Sequence, residues 1–134
     1  MLTRINHIGI AVNSLDEAIP FYRDMLGMAF KGMEEVVEQQ VKVAFLEIGE
    51  SKIELLEPTS PESAVARFLD KNGTGIHHIA YQVVDIEAAI RKLELDGARM
   101  IDKTPRHGAH GARIAFIHPK SSNGVLTELC QMGH

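Results

Sequence analysis

The chain has 134 residues, 45% hydrophobic and 24% charged, which suits one buried core in a single domain or two fused half-domains. With 14 basic against 18 acidic residues (net charge −4), 5% aromatics and no Trp, it lacks the basic face and stacking rings of a nucleic-acid binder. Cys130 is the only cysteine, so an internal disulfide framework and a cysteine zinc site are excluded, and no apolar run approaches the roughly 20 residues of a membrane helix.

The first predicted element is a well-buried strand over Ile5–Val12, with no signal or transit segment ahead of it, which points to the cytoplasm. Ser14 and Glu17 form a capping box that opens a helix carrying Leu15, Ala18, Ile19, Tyr22 and Leu26 and ending at Gly27. Pro20 conflicts with an unbroken helix, so the segment is expected to bend there or to start later. Strands follow around Val41–Ile48 and Ile53–Leu56, joined by a hairpin turn at Gly49-Glu50-Ser51-Lys52. Ser60-Pro61 opens a second helix that Asn72-Gly73 closes. Met25, Met28, Met33 and Met100 read as core or near-core filler, and Cys130 as a buried structural thiol.

From Ile76 the chain repeats itself. His7 and His78 are 71 residues apart, and at the same offset Ile8 meets Ile79, Val12 meets Val83, Leu15 meets Ile86, and Ala44-Phe45-Leu46 meets Ala115-Phe116-Ile117. Past a longer turn at His118–Gly124 the offset widens to 74, where Ile53-Glu54-Leu55 meets Thr127-Glu128-Leu129. Internal repetition fixes architecture before any other signal. The fold class is α+β: two tandem βαβββ modules, 1–58 and 74–134, linked by a helix over 60–73 and pairing into one curved mixed sheet within a single domain.

The repeat singles out four polar residues inside apolar strands: His7, Glu54, His78 and Glu128. Two imidazoles and two carboxylates turned into one concave face need compensation for burial, and a divalent metal supplies it. Such a set suits Zn, Co, Ni, Mn or Fe and leaves open positions for Lewis-acid catalysis.

The opening His7-Ile8-Gly9-Ile10-Ala11-Val12, the pair His77-His78-Ile79-Ala80 and the ending Gly124-Val125-Leu126-Thr127-Glu128-Leu129 resemble the vicinal oxygen chelate (glyoxalase-like) superfamily, over Leu2 to about Gln131. Within it the methylmalonyl-CoA epimerases are most similar, through Lys71–Ala80 and Phe116–Leu129. The resemblance implies that His7, His78 and Glu128 are ligands of one divalent ion (Co, Ni, Mn or Zn), with Glu54 as the fourth. It also implies an acyl-CoA substrate, a homodimer, and a role in propionate metabolism. His77 falls opposite Asn6 in the repeat and is expected to face away from the metal. Some of these epimerases carry an active-site glutamate where this chain has Val43, which leaves the second base open.

The activity so implied is epimerisation of (R)- and (S)-methylmalonyl-CoA through a metal-chelated enolate. Glu128 is expected as one base, with Glu54 or a water on the metal as the other. A glyoxalase I-type lactoylglutathione lyase and a non-catalytic binding member of the same fold are the alternatives. For an anionic CoA, Lys120 and Arg113 are the candidate contacts, with Arg106 and Lys103 beside them. His107–Gly111 is Gly-rich but lacks the Gly-Lys-Ser/Thr of a phosphate loop.

Overall fold

A computed structural model describes residues 1–133; His134, the last residue of the expected C-terminal module, lies outside them. The elements run β1 (Leu2–Ala11), α1 (Leu15–Pro20), β2 (Ala29–Val36), β3 (Val41–Ile48), β4 (Ser51–Pro58), α2 (Ala64–Asn72), β5 (Gly75–Val83), α3 (Ile86–Leu95), β6 (Arg106–His107), β7 (Arg113–Ile117) and β8 (Thr127–Gln131). The expected α+β class and the twofold strand-helix-strand-strand-strand order are present, with α2 between the repeats.

The chain forms two compact units, His7–His77 on one side and Met1–Asn6 with the chain from His78 onward on the other. In the unit 7–77 the strand order is β2-β3-β4-β1. There β1 runs parallel to β4, while β3 is antiparallel to both β2 and β4. In the other unit the order is β1-β5-β8-β7-β6, with β5 parallel to β8 and the remaining assigned ladders antiparallel. Its β6 is only two residues long, where the counterpart β2 of the first repeat has eight.

Each unit buries one helix on one face of its strands, through residues that the repeat matches. In the unit 7–77, Leu15 and Ile19 of α1 pack with Val12, Ala44, Leu46 and Leu55. In the other, Ile86, Ala89 and Ile90 of α3 pack with Val83, Met100, Ala115, Ile117 and Leu129. Fully burying one such aliphatic side chain contributes about 1.5–3 kcal/mol, so these paired cores hold each helix to its strands.

The first helix starts where expected, with Ser14 Oγ accepting the Glu17 amide at 3.3 Å. At Pro20, which has no N–H to give, the α-helix ends and a π-helical turn over Phe21–Met25 takes over, closed by Leu26 N–H to Phe21 O at 3.0 Å. Gly27, at φ +78, then terminates it.

Two sequence expectations need correction. The second helix begins at Ala64 and not at Ser60-Pro61, because buried Ser63 is the residue that caps it, its Oγ accepting the Ala66 amide at 3.0 Å. Of the methionines, Met100 is in the core of its unit and Met28 packs at the edge of the core of the unit 7–77, but Met25 and Met33 are 78% and 53% exposed. Met25 ends the π-turn on its outer side. Met33 is turned out by a shift of strand register.

Candidate metal centre

Strand register aligns each histidine with its glutamate. On the parallel pair β1/β4, Gly9 is the Cα partner of Glu54; on the parallel pair β5/β8, Ala80 is the partner of Glu128. Gly9 and Ala80 each lie two residues past His7 and His78, and residues two apart on a strand share a face. His7 and Glu54 therefore point to one side, as do His78 and Glu128. The third strand of each set repeats the match, with Phe45 opposite Glu54 and Phe116 opposite Glu128.

Within the unit 7–77, His7 Nδ1 lies 3.2 Å from Glu54 Oε2. Within the other, His78 Nε2 lies 3.2 Å from Glu128 Oε1, and the Phe116 ring meets the His78 ring edge-on at 5.5 Å between centroids. All four residues are buried, at 4–6% exposure. A carboxylate held this far from water needs a cation or several donors, and an imidazole beside it meets part of that need. Among the described residues no buried side-chain nitrogen or oxygen lacks a hydrogen-bond partner.

The rest of the expected constellation divides into residues on this face and residues away from it. His77 alternates to the other side of β5 from His78 and packs edge-on against Phe68 of α2 at 5.1 Å, as the repeat predicts. Arg113 also alternates away from Phe116 on β7, and its guanidinium reaches Glu87 of α3 at 3.2 Å. Lys120 is exposed on a 3₁₀ turn over Pro119–Ser121. The same turn is capped by His118, whose Nδ1 accepts the Lys120 amide at 3.1 Å. Loss of hydration, then the positive charges of Arg99 and Lys120, holds the His118 ring below its ordinary pKa. Arg106 pairs with Asp102 at 3.2 Å, and Lys103 is exposed. His107 and His110 sit exposed on the Gly-rich segment, His110 at φ +57. Cys130 is buried, with Sγ 3.5 Å from Met132 Sδ.

Two site-supporting features escaped the sequence reading. Glu57 and Gln131, three residues after Glu54 and Glu128, accept the first amides of α1 and α3. Their common spacing was a usable signal. Gly32 marks the second, a bulge in β2 that resets which residues face inward.

Residues 6–116 match the Glyoxalase/Bleomycin resistance protein/Dioxygenase superfamily. The ethylmalonyl-CoA/methylmalonyl-CoA epimerase of Cereibacter sphaeroides is 43% identical over 134 residues, covering 98% of this chain and 100% of that one. A methylmalonyl-CoA epimerase solved in complex with methylmalonyl-CoA and NH4+ superposes with a TM-score of 0.96 at 44% identity, covering 99% of this chain and 96% of that one. A lactoylglutathione lyase of Arabidopsis thaliana is more distant, 25% identical, with this chain spanning 44% of its length. The chain belongs to the glyoxalase/bleomycin resistance protein/dioxygenase superfamily and, within it, to the methylmalonyl-CoA epimerase family.

Proposed function

We propose that this protein interconverts the epimers of methylmalonyl-CoA, with His7, Glu54, His78 and Glu128 holding one divalent cation. The observation that carries the reading is the duplicated His–Glu pair, set in the same register in both units and buried to the same degree. His7, His78 and Glu128 are buried donors of the kind that hold an ion together. Two nitrogens and two carboxylate oxygens fit Co, Ni, Mn or Zn and leave coordination positions for substrate oxygens. When bound, the cation supplies positive charge where negative charge develops on the thioester oxygen as the α-proton leaves.

The protein's own residues do the rest. Glu128, fixed between β5 and β7, takes the proton on one side of the α-carbon. Glu54, its counterpart in the repeat, completes the cation's ligand set and can meet a proton only by loosening that role. Lys120 is the candidate contact for the CoA phosphates. Arg113, pledged to Glu87 on the helix-covered side of β7, is the weaker of the two. A cytoplasmic location belongs to the reading. We include in the reading the homodimer that the family resemblance implies.

The test is deuterium exchange at the α-carbon in heavy water, run with methylmalonyl-CoA and with a glutathione hemithioacetal, before and after chelation. Exchange confined to methylmalonyl-CoA and lost on chelation supports the reading. Exchange confined to the hemithioacetal would assign the lyase activity instead, and exchange with neither would leave a binding protein.

A further inference from the structure

Epimerisation removes a proton on one side of a carbon and returns one on the other, so it needs two proton-carrying groups on opposite sides. Resting on the reading above, Glu128 is the first. Glu54 is held as Glu128 is, 3.2 Å from its own histidine, and in that reading both are ligands, so a second group outside the ligand set spares Glu54 from doing both. The strand register of the unit 7–77 identifies the other carboxylates on the same face. Phe45 opposes Glu54, Val43 opposes Leu56 and Glu47 opposes Lys52, so positions 43, 45 and 47 of β3 all lie on the Glu54 side. Glu47 is half exposed beside the Gly49–Glu50 turn, and its carboxylate is 3.8 Å from the Lys31 ammonium. Val43 is buried and carries no ionisable group, but its partner on β2 is Glu34.

Glu34 reaches this face because β2 is bulged. Ala29 opposes Glu47 and Phe30 opposes Leu46; continued, that register would set Glu34 opposite Lys42, on the far side. The register instead slips by one between Phe30 and Met33, around Gly32 at φ +99, and Glu34 opposes Val43. A one-residue slip exchanges the two faces of a strand, and bulges beside active sites re-aim side chains in this way. Here the slip turns Glu34 inward to a half-buried position and leaves Met33 53% exposed on the other side.

We propose that Glu34 is the second proton-carrying group of the reaction, acting from the face of Glu54 beside Val43 and leaving Glu54 a ligand. In one direction the Glu128 carboxylate takes the α-proton, and the C–H electron pair passes to the thioester oxygen. The Glu34 carboxylic acid then gives its proton to the opposite side of the α-carbon, where the returning pair forms the new C–H bond. Glu128 ends protonated and Glu34 ionised, ready for the reverse reaction or for exchange with water.

The experiment uses the metal-loaded protein and follows epimerisation, together with deuterium uptake from each epimer separately. Glu34→Gln should slow epimerisation by about 100-fold or more while one epimer still exchanges through Glu128. Glu34→Asp, which keeps an acid, should retain part of that turnover. Val43→Glu added to Glu34→Gln should recover about 10-fold by restoring a carboxylate on the same face. Glu47→Gln should stay within about 2-fold of the unaltered protein. Epimerisation by Glu34→Gln within about 3-fold of the unaltered protein overturns the proposal. So does equal loss in Glu34→Asp and Glu34→Gln, which makes Glu34 structural. An unaltered protein that neither epimerises nor exchanges methylmalonyl-CoA overturns the functional reading itself, whatever the variants do.

Discussion

Glu57 accepts the Leu15 amide at 2.8 Å and Gln131 accepts the Ile86 amide at 2.8 Å, one side chain for each repeat. Each ties the first turn of its helix to the strand that carries that repeat's buried glutamate, three residues before. Ser14 and Asp85 accept a second amide at each helix start, from Glu17 and Ala88. Four amides at a helix N-terminus have no partner within the helix, so these side chains satisfy two of them. Glu57→Ala and Gln131→Ala are each expected to lower stability by about 1–2 kcal/mol, the range of a lost cap, with Glu57→Gln costing less. Urea unfolding with an unchanged denaturant slope checks this. A loss under a few tenths of a kcal/mol for both alanine variants would make the two contacts incidental.

Metal binding should register in stability as well as in turnover. A ligand at 100 times its dissociation constant stabilises the folded state by about 2.7 kcal/mol. Treatment with a chelator should therefore lower the melting temperature, and Co, Ni, Mn or Zn should restore it. His7→Ala and His78→Ala should abolish the metal-induced rise while leaving a folded protein, because each removes one proposed ligand and leaves the helix-covered cores intact. No response of the unaltered protein to any of the four ions would remove the proposed metal site.

The repeat explains why so much was legible in the chain. His7 and His78, with Glu54 and Glu128, stand out because a polar residue repeated inside an apolar strand is visible as a pair when it is ambiguous alone. Leu15, Ala44, Leu46 and Leu55 with Ile86, Ala115, Ile117 and Leu129 are legible for the same reason, as matched positions of two helix-covered cores. What stayed hidden breaks local pattern. By alternation Glu34 shares the helix-covered face of Phe30 until the slip at Gly32 reverses it. Ser63 is masked as a cap because Ser60-Pro61 offers a stronger local signal three residues earlier. Arg113 carries the right charge for CoA, but the alternation of β7 that aims Phe116 at Glu128 aims Arg113 the other way.

His118 gives a pH-dependent prediction away from the proposed metal ligands. Its Nδ1 must stay unprotonated to accept the Lys120 amide, and its pKa is lowered by lost hydration and by Arg99 and Lys120. A histidine whose folded pKa lies below its unfolded value of about 6.5 binds more protons when unfolded. The stabilisation of the Pro119–Ser121 turn is therefore complete above about pH 6.5. It declines as pH falls below that value and levels off below the lowered folded value. Ring resonances of His118 should titrate below about 6.5, and Lys120→Gln should move that midpoint upward. A midpoint at or above the unfolded value would contradict the cap.

The last prediction separates ligand from base at the two buried glutamates. Glutamine keeps an oxygen that can coordinate but cannot take up a proton. Glu128→Gln should therefore weaken metal binding modestly while epimerisation falls by about 10²–10⁴, the usual cost of losing a general acid–base. If Glu34 carries the second proton, Glu54→Gln should differ in turnover. Metal affinity falls modestly, as it does for Glu128→Gln, but turnover at saturating metal stays within about 10-fold of the unaltered protein. The measurement is turnover of each epimer at several metal concentrations, with bound metal determined on the same samples. Full activity in metal-loaded Glu128→Gln would leave Glu128 a ligand only. Loss of exchange from a single epimer in metal-loaded Glu54→Gln would return the second proton to Glu54 and take it from Glu34.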